Sequence, residues 1–160
     1  MHHPFLAVGF VCLCTACGTK SVDSSPGDYG SSRSNACAGA PEVLSPQAPF
    51  DCAGATCTLE VLSTTPDPPD RGDNTWSVRL LDSTGTPQSL VSLVGSPFMP
   101  AHNHGTSPPD FAGRSTDQIT WSVGPFDLFM PGFWELRVAI EVAESEDSDR
   151  QVVIPFCVEG

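Results

Sequence analysis

The sequence predicts an all-β protein, an antiparallel β-sandwich of about seven strands, from three observations. Apolar and polar residues alternate in short runs, which is the two-residue period of half-buried strands. Pro (16) and Gly (14) together make 30 of the 160 residues, well above the roughly 12% typical of soluble proteins. No stretch shows the 3.6-residue period of an amphipathic helix, and residues that break helices are spread along the chain.

Six alternating runs between turn residues predict most of the strands. Within the run 132–142, Trp134, Leu136, Val138 and Ile140 share one face, opposite Phe133, Glu135 and Arg137. The runs cover residues 56–64, 75–82, 89–94, 117–123, 132–142 and 151–158. Pro, Gly, Asp and Ser between the runs indicate the turns of a meandering antiparallel chain.

The charge balance excludes nucleic acid as a partner. The chain has 7 Lys and Arg against 19 Asp and Glu, which gives a formal net charge of −12. A protein that binds nucleic acid needs clustered basic residues to neutralise phosphates. The acidic balance instead fits the surface of an exported domain.

The N-terminal residues predict export and a lipid anchor. Residues 1–16 combine an apolar segment, Phe5 to Cys14, with the small residues Thr15 and Ala16, the plan of a signal peptide. The apolar segment is shorter than the roughly 20 residues of a membrane-spanning helix. The run ending at Cys17 resembles a bacterial lipoprotein signal, which implies a lipidated Cys17 and a location in the bacterial cell envelope, with the outer membrane or its periplasmic face favoured. A plainly cleaved secretory signal is the alternative.

Residues 17–50 are interpreted as a flexible tether and residues 51–160 as the folded domain. The tether is rich in Ser, Gly, Ala and Pro and lacks apolar periodicity, so it offers little apolar surface to offset the entropy of ordering it. Four further cysteines remain, namely Cys37, Cys52, Cys57 and Cys157. An even number in an exported chain predicts two disulfides, with three pairings open. One pairing joins the chain ends through Cys57 and Cys157, and another closes a small loop between Cys52 and Cys57.

The side chains that could bind a metal lie in or next to two copies of Phe-Met-Pro, at 98–100 and 129–131. The copies contain Met99 and Met130, and the first copy precedes His102 and His104. Thioether sulfur suits Cu(I), and imidazole binds copper in general. In an extended segment the two histidines would point the same way. These four residues are therefore candidate copper ligands.

Two other interpretations of the same residues stay open. Zinc would accept His102 and His104 together with a carboxylate such as Asp110. Alternatively, both methionines pack the core and the histidines belong to a solvated loop. The second interpretation describes a non-metal structural or adaptor lipoprotein, whose loop packs the end of the sandwich or docks a partner.

Two segments resemble the YtkA-like domain of exported bacterial proteins. They are Met99-Pro100-Ala101-His102-Asn103-His104-Gly105 and Met130-Pro131-Gly132-Phe133-Trp134-Glu135-Leu136. The resemblance covers roughly Leu59 to Val142 and implies an immunoglobulin-like sandwich in the envelope. It also implies copper as the bound metal and, as in the related FixH-like proteins, a copper protein or envelope assembly as partner.

The sequence gives no sign of an enzyme. It lacks a nucleophile elbow, a phosphate-binding glycine loop and a HExxH motif. The only histidines beyond the signal peptide, His102 and His104, lie in one short segment. We therefore expect a binding module and no catalytic residues.

Overall fold

A computed structural model describes residues 35–52, 54–142 and 150–160. The predicted signal peptide 1–16, the lipidation site Cys17 and the tether up to residue 34 lie outside the described residues. Within the described ranges, no helix has the length and apolar character needed to cross a membrane.

The described residues form seven long strands, three two-residue strands and two short 3-10 turns. The turns are Asn35–Cys37 and Pro100–His102. In chain order the strands are β1 (Gln47–Cys52), β2 (Ala55–Thr65), β3 (Gly72–Leu81), β4 (Pro87–Gln88), β5 (Leu90–Met99), β6 (His104–Gly105), β7 (Phe111–Ala112), β8 (Thr120–Leu128), β9 (Gly132–Val142) and β10 (Arg150–Val158).

The strands form two antiparallel sheets that pack face to face, which confirms the predicted sandwich. One sheet has the order β1-β2-β3, with β4 and β8 both pairing the far side of β3. The other has the order β10-β9-β5, with β6 and β7 on the far side of β5. In a constant-type immunoglobulin domain the third long strand pairs in the sheet of the last two strands, and the fourth pairs in the sheet of the first two. Here the two are exchanged, because the third long strand, β3, pairs with β2 and the fourth, β5, pairs with β9.

The core consists of the inward-facing residues of both sheets. In β9 the predicted face is confirmed, because Trp134, Leu136, Val138 and Ile140 are all buried. In β3, Trp76, Val78 and Leu80 face them from the other sheet with almost no exposure. This alternation fixes the register, since a shift of one residue would turn the apolar side chains to solvent.

Two disulfides tie the N-terminal part of the domain to the sandwich. Cys37 bonds Cys157 and Cys52 bonds Cys57, so the small-loop pairing is present and the Cys57–Cys157 pairing is not. Cys37 is buried, and β1 begins at Gln47. The ordered domain therefore starts before Asp51, because a cross-link and a sheet partner fix residues that have no apolar period of their own.

The open edges of both sheets carry proline. Pro49 lies in β1, Pro125 in β8 and Pro155 in β10, and each of these strands has one long neighbour only. Because proline has no N–H to donate, an edge strand that contains it is a poor template for another strand. A strand added at β1, β8 or β10 would therefore lack a backbone donor at the proline.

Two turns are built around hydrogen-bonded aspartates. The Thr84 hydroxyl and then the Thr86 N–H donate to Asp82 and hold its pKa below the ordinary 3.8. The N–H groups of Thr120 and Ile119 lower the pKa of Asp117 in the same way. Each charged carboxylate is therefore favoured by the folded chain.

The double variant Asp82→Asn/Asp117→Asn should flatten the acid limb of the stability profile. A lowered folded pKa contributes stability above the unfolded pKa of about 3.9, and that stability is lost as pH falls through the folded value. The parent should therefore lose more unfolding free energy than the variant between about pH 5 and pH 2.5. Urea unfolding across that range measures this, with Asp127→Asn as control. Parallel profiles of parent and double variant would contradict it.

Candidate functional site

A tight turn, and not an extended segment, carries the two histidines. Residues Pro100–His102 form a 3-10 turn that ends at Asn103, which has the left-handed φ of 53° and ψ of 41°. Pro100 favours this turn because its φ is fixed, and Asn tolerates the left-handed region better than most residues. His102 and His104 therefore do not lie in one extended segment, and His104 is brought back along the strand that precedes the turn.

After the turn, β6 pairs with the end of β5. Met99 lies directly opposite His104, and Phe98 lies opposite Gly105. Directly opposite residues of an antiparallel pair project to the same side of the sheet. Gly105 permits the close approach, because a Cβ at this position would lie 2.5 Å from the Pro97 carbonyl oxygen. The position of His104 therefore depends on a glycine that follows it.

Met99 is part of the core at this end of the sandwich. Its side chain is 2% exposed, and its methyl group lies over Gly132 at the start of β9. Phe98 pairs with Glu135, so Met99 and Trp134 occupy the next positions of β5 and β9. Trp134, Met99 and His104 thus form a row across three neighbouring strands.

The second Phe-Met-Pro copy lies against the same end. The Phe129 ring stacks on His104 with centroids 5.5 Å apart and an interplanar angle of 18°. The indole N–H of Trp134 donates to the Met130 carbonyl at 3.0 Å, and Arg71 Nη2 donates to the Phe129 carbonyl at 3.3 Å. Met130 is half-buried and packs against the core. These contacts fix the loop that carries Met130 beside the histidine turn.

The two imidazoles lie close enough to bind one ion. Their centroids are 5.7 Å apart and their planes are tilted by 45°. Metal–nitrogen bonds of about 2 Å place the centroids of two imidazoles on one ion about 5–6.5 Å apart. His104 Nδ1 lies 3.2 Å from the Gly105 carbonyl oxygen. A carbonyl only accepts, so this contact is a hydrogen bond only in the tautomer with the proton on Nδ1, in which Nε2 carries the lone pair.

Carboxylates and cysteines do not complete this site. Among the described residues, the one group of three His, Cys, Asp or Glu with mutually close donor atoms is Cys37, Cys157 and Glu159. Its two sulfurs are joined in a disulfide and so are not thiolate ligands. Asp110 accepts a hydrogen bond from Ser96 Oγ at 2.5 Å and is absent from any such group with the histidines. The arrangement required for zinc with Asp110 is therefore not formed.

Sequence reasoning missed three residues that shape the site. Asn103 sets the turn, Gly105 lets β6 approach β5, and Phe129 covers His104. Phe129 is 42% exposed, so the stacked pair is partly open to solvent. Asn103 and Gly105 flank His104 in the first motif. Asn tolerates the left-handed conformation and Gly allows close backbone approach, so these two residue types were the available indication of a turn. Nothing in the sequence indicated which phenylalanine would meet the histidine.

Comparison with known protein families, with curated proteins and with solved structures found no match to this chain. The resemblance to YtkA-like domains therefore stays a prediction from the two motifs.

Proposed function

We propose that this chain is a lipid-anchored binding module of the bacterial cell envelope that captures copper and passes it to a partner copper protein or envelope assembly. His102 and His104 would hold the ion, with Met99 and Met130 as soft sulfur ligands. Imidazole and thioether together favour Cu(I) over metals that prefer oxygen. The proposal assigns no catalytic activity to the chain.

The observation that carries the proposal is the pair of imidazoles in the Pro100–Gly105 segment. Their rings are 5.7 Å apart, and His104 directs Nδ1 to the Gly105 carbonyl. Histidines that bind metals commonly donate their other ring N–H to a carbonyl or carboxylate, which orients the ring. This contact supports His104 as a ligand, because it orients the ring through Nδ1.

The buried side chain of Met99 and the aromatic rings beside His104 support a soft ion, although His102 and part of Phe129 are exposed. Met99 faces the interior opposite His104, and the aromatic rings of Phe129 and Trp134 lie 5.5 Å and 6.4 Å from the His104 ring. Among the described residues, no Asp or Glu joins the two histidines in a group with mutually close donor atoms, whereas thioether and imidazole suit Cu(I). Location in the envelope is supported by the two disulfides, which persist in oxidising compartments.

Competition between the full-length chain and a Cu(I) chelator under anaerobic conditions tests the site. His102→Ala/His104→Ala should weaken Cu(I) binding by about 100-fold or more, because both nitrogen ligands are lost. Asn103→Gly is the matched control in the same turn, since glycine adopts the left-handed conformation without strain. The control should bind as the parent does. Equal affinity of the double variant and the parent would refute the site.

A non-metal adaptor role is the second candidate, and the burial of Met99 favours it. A methionine that is 2% exposed has the position of a core side chain, whether or not its sulfur binds an ion. In this role the exposed Phe129 and His102 would form a docking surface. The two roles differ in whether copper raises the thermal stability of the chain, because an ion that binds the folded state stabilises it.

A further inference from the structure

An open groove lies outside the residues proposed to bind copper. The groove has a volume of about 720 Å³, within the roughly 300–1,000 Å³ of sites for small molecules. It is formed by the segment before β1, the end of β2, the loop from β2 to β3, and the end of β10. None of Met99, His102, His104 and Met130 lines it.

The walls of the groove are apolar and rich in proline. Leu62 and Val43 line it and are 41% and 77% exposed, although large apolar side chains are normally covered. Five prolines also contribute to the walls, namely Pro41, Pro46, Pro66, Pro68 and Pro69. Proline has a carbonyl but no N–H, so these walls provide few donors for an anion.

Among the described residues, the ionisable side chains that line the groove are carboxylates. Cys157 also lines it but is held in a disulfide. The carboxylates are Glu42, Asp67, Asp70 and Glu159, and no Lys, Arg or His of the described ranges lines the groove. The two ion pairs found among the described residues are Arg79–Glu60 and Arg137–Glu135, so none of the four carboxylates is neutralised in that part of the chain. An apolar surface beside unpaired negative charges is complementary to a molecule that has an apolar body and a positive charge.

We propose that this groove binds a small organic cation with an apolar tail. The tail would lie along Leu62, Val43 and the prolines, and the cationic group would face the carboxylates. Burial of the apolar tail supplies most of the affinity. The charge supplies selectivity, because an anion with the same tail would meet four like charges.

Isothermal titration of the full-length chain with decyltrimethylammonium, below its micelle concentration, tests the proposal. Decyl sulfate and decyl maltoside provide the same tail with a negative charge and with none. The cation should bind at least about tenfold more tightly than either, and its affinity should fall as salt rises. Equal binding of the three probes, or no binding of the cation, would overturn the proposal.

Two pairs of variants locate the binding. Glu42→Gln/Glu159→Gln should weaken binding of the cation about fivefold or more, whereas Asp127→Asn/Glu141→Gln removes equal charge elsewhere and should change it little. Leu62→Ala should weaken the cation and decyl maltoside alike, and Val153→Ala is its control because Val153 is similarly exposed outside the groove. An equal loss in the charge control would show binding to the general acidic surface, and an equal loss in Val153→Ala would show binding to exposed apolar residues in general. Either result would overturn the proposal.

Discussion

Removal of the Cys37–Cys157 disulfide is expected to lower the free energy of unfolding by about 5 kcal/mol, because the bond closes a long loop and so restricts the unfolded chain. Its cysteines are 120 residues apart in sequence, whereas Cys52 and Cys57 are only 5 apart. The same loop-entropy relation gives about 2 kcal/mol for the short loop. The two disulfides therefore allow the effect of loop length on stability to be compared within one chain.

Urea unfolding of Cys37→Ala/Cys157→Ala and Cys52→Ala/Cys57→Ala, each against the parent, measures the difference. We expect the first double variant to be the less stable by roughly 2–3 kcal/mol. The first variant should also bind decyltrimethylammonium more weakly, since Cys37 fixes the segment that contributes Pro41 and Val43 to the groove. Equal stability of the two variants would show that closing the long loop stabilises the chain no more than closing the short loop, contrary to the loop-entropy relation.

The long strands were predictable because their signal is local. In β9 the predicted bounds 132–142 are those of the structure, since buried and exposed residues alternate along the whole strand. β1 was not predicted, because Gln47–Cys52 has Pro49 and Asp51 and one fully buried position, Ala48. Its strand conformation comes from hairpin pairing with β2 and from two disulfides, contacts that the residue pattern of β1 does not encode.

The candidate site was predictable in composition but not in geometry. The concentration of Met and His in two motifs identified the loops, and the structure places those loops at one end of the sandwich. The turn at Pro100–Asn103 arises from two residues with special backbone preferences. The stacking of Phe129 on His104 joins the residue after β8 to the first residue of β6. No local sequence pattern encodes a contact between segments so far apart.

Substitution of Met99 separates its packing role from its proposed role as a ligand. Met99→Ala should lower the free energy of unfolding by about 2–5 kcal/mol, the usual effect of truncating a buried Met. Met99→Leu keeps the volume and should cost less than about 1.5 kcal/mol. It removes the sulfur, however, so we expect it to weaken Cu(I) binding by about tenfold or more. Urea unfolding and chelator competition provide the two readouts.

A core control shows whether destabilisation alone affects copper binding. Leu93 lies in the same strand and is as buried as Met99, so Leu93→Ala should lose comparable stability. It removes no ligand and should leave Cu(I) affinity unchanged while the chain remains folded. If Met99→Leu keeps both stability and affinity, Met99 is a core residue only, and the ion is held without it. If Met99→Leu loses affinity and Leu93→Ala does not, the sulfur opposite His104 is a ligand, and the inward side of β5 forms the floor of the copper site.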